Sequence, residues 1–78
     1  MRLTITQNNI DQGTVLTCPV ALAFKARGVP TPQTGTTYTR ISADTFYTHS
    51  KNLTKWIRRY DKGLAVRPAT FIVTERHP

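Results

Sequence analysis

Ser50-Lys51-Asn52-Leu53-Thr54-Lys55-Trp56-Ile57-Arg58-Arg59-Tyr60-Asp61-Lys62-Gly63 writes one face of a helix in apolar letters and the other in basic ones. Leu53, Trp56, Ile57 and Tyr60 recur at i, i+3, i+4 and i+7. At 100° per residue they fall within an arc of about 100°. Lys51, Lys55, Arg58, Arg59 and Lys62 fall opposite, and Asp61 is the one acid among them. Ser50 or Asn52 is placed to cap the first turn, and Gly63 suits the position just past the last. Arg59 and Lys62 lie where a helix dipole favours positive charge. A helix of this kind needs an apolar surface to cover, and the neighbouring segments supply one.

Before it, Thr36 to Ser42 and Thr45 to His49 read as two strands joined at Ala43-Asp44, with Phe46 or Tyr47 facing inward. After it, Leu64 to Pro68 turns the chain into a last strand, Ala69 to Thr74, where Phe71 and Val73 alternate with polar or outward positions. At the N-terminus Arg2-Leu3-Thr4-Ile5-Thr6 alternates as a strand with Leu3 and Ile5 inward. Thr6 then caps a short turn through Ile10, closed at Gly13, which supplies freedom to reverse direction. Pro19 to Arg27 reads as a first helix, apolar nearly all round and therefore buried. Gly28 ends it, and Gly28 to Gly35 is a loop rich in Pro, Gly and Thr. The order is β-α-β-β-α-β: a single small α+β domain over residues 1–78, with a mainly antiparallel sheet and two helices on one face.

The chain has 78 residues, too few for a second domain or a thick core. Eleven Lys and Arg stand against four acids, a formal charge of +7. A field of that sign attracts phosphate backbones and acidic protein surfaces. Cys18 is the single cysteine, so no internal disulfide is expected and a reducing compartment is. No basic-plus-apolar leader is read, and the run Val20 to Phe24 is far too short to cross a bilayer, so no membrane partner is expected.

Catalytic signatures are not found. Cys18, His49 and His77 match no zinc spacing, so neither a metal nor any other cofactor is expected. Asp44, His49 and Ser50 are close in sequence, but a triad is a matter of geometry. Four acids in the whole chain argue against paired-carboxylate chemistry, and no glycine-rich phosphate loop occurs. The expectation is a protein that binds, not an enzyme. Lys51, Lys55, Arg58, Arg59 and Lys62 form the candidate surface for nucleic acid or another anion. Arg40, Arg67 and Arg76 are candidates to extend it. Among the aromatics, Trp56 belongs to the apolar stripe and reads as a packing residue. Tyr38 and Tyr47 are candidate stacking faces whose direction depends on strand register.

Two segments carry a resemblance. Cys18-Pro19-Val20-Ala21-Leu22-Ala23 resembles a CPVALA helix start. Trp56 to Gly63, followed by Val66, Pro68 and Phe71, resembles FIxxFDxGxxVxPxxF, and Ile10 followed by Gly13 fits the same pattern. Together they resemble a group of small, mostly uncharacterised proteins of tailed bacteriophages and prophages. The resemblance implies phage genes, a bacterial host cytoplasm and no catalytic residues. It leads to two expectations. One is a phage accessory protein whose basic helix meets nucleic acid. The other is an inhibitor that occludes an acidic surface of a host or defence protein. Either would act as a monomer or a homodimer.

Overall fold

The computed structural model describes residues 1–14 and 17–77. Eight elements follow in order: β1 (Arg2–Ile5), α1 (Gln7–Gln12), α2 (Pro19–Ala26), β2 (Gln33–Thr34), β3 (Tyr38–Ser42), β4 (Thr45–His49), α3 (Lys51–Asp61) and β5 (Ala69–Arg76). The strands form one sheet in the order β1-β5-β4-β3-β2, and every pairing is antiparallel. The α+β reading therefore holds, with two elements added to it. The turn after Thr6 is a six-residue helix, and the loop before β3 contains a two-residue strand. Both are too short to show an apolar period. Among the described residues no helix is long and apolar enough to cross a membrane.

Register assigns each strand residue to a face. Leu3 pairs with Phe71, His49 with Val73, Tyr47 with Glu75 and Thr39 with Tyr47. Directly opposed residues share a face, so these line the inner side. Tyr47, not Phe46, is the aromatic of β4 that looks inward, where its ring meets Phe24 at 5.6 Å between centroids. The helices cover this side. α2 touches both edge strands, β1 and β2, so the sheet curls around it. α3 lies over β4 and β5, and α1 packs on α2. One core results, built from Leu3, Ile5, Val20, Ala23, Phe24, Leu53, Trp56, Ile57 and Val73. Each large aliphatic or aromatic member contributes about 1.5–3 kcal/mol through burial.

Caps and glycines fix the helix ends. Thr6 and Asn9 form a reciprocal capping box on α1. The Ser50 hydroxyl accepts from the Leu53 N–H at 3.3 Å and starts α3. Both α2 and α3 end in the same hydrogen-bond pattern. Leu64 N–H reaches Arg59 O and Gly63 N–H reaches Tyr60 O, just as Val29 reaches Phe24 and Gly28 reaches Lys25. The pattern needs a left-handed residue, which Gly63 (φ 75°) and Gly28 (φ 94°) provide. Gly13 is different. Its φ of −66° suits any residue, so freedom to reverse is not its role. A Cβ there would lie 2.7 Å from the Pro19 ring and 2.9 Å from the Tyr60 hydroxyl. It is the lack of a side chain that lets α1, α2 and α3 converge.

Candidate nucleic-acid interface

Trp56 orients α3. Its indole is 8% exposed, stacks on Tyr60 at 5.9 Å and meets Phe71 edge-on at 6.4 Å. The indole N–H donates to Arg67 O at 2.8 Å, which ties the loop after the helix to the core. With the apolar stripe fixed in this way, the opposite face of α3 must point to solvent. Lys51, Lys55, Arg58, Arg59 and Lys62 are all exposed there.

Three of the five act together. Lys51, Lys55 and Arg58 stand at i, i+4 and i+7 and border an open groove of ≈ 430 Å³ with Thr37, His49 and Thr54. No carboxylate among the described residues lines it. Among the described residues the single ion pair is His77 with Glu75 at 3.1 Å, at another part of the sheet. None of the eleven Lys and Arg is paired with an acid among those residues. A surface helix usually mixes both signs and gains from i,i+4 pairing, and this one does not.

His49 lines the groove. Its Nδ1 lies 3.0 Å from Thr36 O, so Nδ1 carries a proton and donates. Its Nε2 then accepts from the Thr39 hydroxyl at 2.7 Å, and Thr39 accepts in turn from Thr34 at 3.1 Å. The Thr54 hydroxyl also donates to Thr36 O. Burial holds the His49 pKa below the ordinary histidine value, against the opposing pull of the Thr36 carbonyl. The ring is a neutral structural member of the wall, with both nitrogens occupied.

The other predicted residues are dispersed. Arg59 turns its guanidinium onto Ala65 O, at 3.0 Å from Nη2 and 3.3 Å from Nε, and clamps the loop after α3. Lys62 sits at the C-cap, and Arg67 is exposed in the following loop. Arg40 does not extend the helix surface. It pairs with Phe46 on the outer side of the sheet, away from α3, because Thr39 beside it takes the inward position. Arg76 pairs with the same Phe46 and shares that outer side.

The residues considered for chemistry are likewise separate and occupied. Asp44 accepts from Ser42 and Thr45, Ser50 caps α3, and His49 is held by Thr36 and Thr39. Cys18 is half-buried against the core, and His77 bonds Thr45 and Glu75. No group of three or more His, Cys, Asp or Glu able to hold a metal occurs among the described residues. Tyr47 faces inward, and burial together with the Glu75 carboxylate raises its pKa, so it stays a donor to Glu75. Thr37 and Thr54, which wall the groove, carry no signal in sequence. Their place follows from how α3 docks beside β4.

The architecture is that of an α+β domain with a curled antiparallel sheet covered by helices on one side. No protein-family model matches the chain, nor does any curated protein or solved structure.

Proposed function

We propose that this protein is a non-enzymatic, phage-type accessory protein that binds nucleic acid through the cationic face of α3. The observation that carries the reading is the line Lys51-Lys55-Arg58 beside a groove with no carboxylate among its described lining residues, in a chain whose described Lys and Arg have no carboxylate partners. Cations in that state are free to replace counterions on a phosphate backbone. Binding of this kind falls steeply with salt and reads little sequence. The exposed Thr37 at the groove wall suits a hydrogen bond to a phosphate oxygen.

The test is a titration of labelled duplex DNA between about 50 and 200 mM salt. The triple variant Lys51→Gln, Lys55→Gln, Arg58→Gln is expected to weaken binding. It should also flatten the slope of log K against log salt by about 2–3, near 0.9 for each phosphate no longer neutralised. Absence of binding at low salt, or a slope indifferent to the triple variant, refutes the reading. The resemblance to small phage proteins favours a second reading, in which the same ridge occludes an acidic surface of a bacterial host or defence protein. A stoichiometric protein partner retained on this chain after nuclease treatment of host lysate would support it. On either reading the protein would work in the bacterial host cytoplasm.

A further inference from the structure

The side of the sheet opposite the helices is uncovered. Register places Arg2, Thr4, Tyr38, Arg40, Phe46, Thr48, Thr70, Ile72, Thr74 and Arg76 on it. Tyr38 is 45% exposed on this face and Ile72 54%. Three antiparallel strands set Arg76, Phe46 and Arg40 side by side in one row, about 10 Å long at ordinary strand spacing. The neighbouring row is Thr74, Thr48 and Tyr38. Tyr38 and Phe46 meet diagonally, with ring centroids 6.1 Å apart and planes at 77°. Tyr38, Arg40 and Phe46 together line a shallow depression of ≈ 210 Å³.

Charge on this face is of one sign. Arg2, Arg40 and Arg76 stand on it, and none of its strand positions holds an acid. Glu75 points to the inner side, where Tyr47 and His77 take its oxygens. Asp44 lies in the β3–β4 turn, where it accepts from Ser42 and Thr45. A face that joins the exposed Tyr38 ring, with the half-buried Phe46 ring beside it, to unpaired guanidinium groups complements one polymer in both respects. Single-stranded nucleic acid has π-faces to stack and phosphates to pair, while a duplex hides its bases and a typical acidic protein surface lacks the repeating rings.

We infer that the open face of the sheet is a second binding site, specific for unpaired bases. Tyr38 and Phe46 are the stacking residues, and Arg40 and Arg76, which flank Phe46, hold the adjoining phosphates. The site goes beyond the helix reading and stands apart from it, because the two surfaces lie on opposite sides of the sheet. It also gives Arg40 and Arg76 a place that the α3 surface does not.

The experiment compares fluorescein-labelled oligothymidylate with a duplex of equal length, by anisotropy at fixed salt. Three variants are titrated: Tyr38→Leu with Phe46→Leu, Arg40→Gln with Arg76→Gln, and the α3 triple variant. Leucine keeps apolar contact at Phe46 while removing the ring. If thermal melts show that the leucine pair unfolds, the arginine pair decides, since its charged groups lie at the surface. The expected result is tighter binding of the single strand than of the duplex. Each stacking ring removed should weaken single-strand binding by about 5- to 100-fold. The α3 triple variant should keep the single-strand preference. Ultraviolet crosslinking of oligothymidylate to the unaltered protein should label peptides containing Tyr38 or Phe46.

Single-strand affinity unchanged in both sheet variants overturns the inference. Loss of single-strand binding only in the α3 variant also overturns it and leaves the helix reading standing. Loss only in the sheet variants supports it, whatever becomes of the helix reading. A concentration-dependent dimer dissolved by the leucine pair would give the face to a second copy and overturn the inference.

Discussion

Thr39 is fully buried, and it is the one buried polar residue of the domain among the described residues. Its hydroxyl links Thr34 to His49 and supplies the only hydrogen bond seen at the His49 Nε2. Thr39→Val keeps the shape and replaces that hydroxyl with a methyl group. The His49 lone pair would then meet a methyl group in place of its partner, at a cost of about 1–3 kcal/mol. For a domain of this size that loss lowers the melting temperature by about 4–24 °C. Far-ultraviolet circular dichroism during heating reads it directly. The decisive comparison is a double-mutant cycle with His49→Leu. In that background there is no lone pair to strand, and Thr54 still donates to Thr36 O. Thr39→Val should then cost at least about 1 kcal/mol less than in the unaltered chain. Equal costs in the two backgrounds, or a valine that stabilises the unaltered protein, would refute the Thr39–His49 hydrogen bond as a stabilising contact.

Two further outcomes follow from the same geometry. The folded protein binds a proton at His49 less readily than the unfolded chain does, because burial lowers the pKa. Stability from this group is therefore complete above the ordinary histidine value of about 6.5 and falls as pH drops through that value toward the lower folded one. Urea unfolding from about pH 8 to about pH 5 should show a larger loss for the unaltered chain than for His49→Leu, and parallel curves would contradict this. Gly13→Ala should destabilise by about 1–3 kcal/mol, since the new methyl would meet the Pro19 ring, although its backbone angles alone would favour alanine. A rise in melting temperature for that variant would show that α2 can move away from α1.

The sequence made α3 legible because its apolar and basic residues obey one period, and Ser50 and Gly63 mark its ends. The bounds of β4 were likewise readable, from β-branched and aromatic residues bracketed by Asp44 and Ser50. β2 was hidden because a two-residue strand has no pattern of its own, and it exists through its pairing with β3. The cationic surface was legible only where one element carried it, as in Lys51, Lys55 and Arg58. Arg40 was grouped with them because residues on different elements can be placed only through register. Phe46 and Tyr47 pose the same difficulty in a sharper form. They are adjacent aromatics, so alternation cannot say which faces the core until the partners across the sheet, Arg76 and Glu75, are known.

The position of β5 bears on how the molecule is made. It lies between β1 and β4, and it pairs the first strand of the chain with residues more than sixty positions later, as Thr4 does with Thr70. The β3–β4 hairpin needs only neighbouring sequence and can close early. β1 has no such option, since its partner is the last of the five strands to be synthesised. On the ribosome, the backbone of β1 therefore stays unpaired until Ala69 to Arg76 has emerged. The interval before that, when β1 has no strand to pair with, is when a chaperone has the most surface to hold.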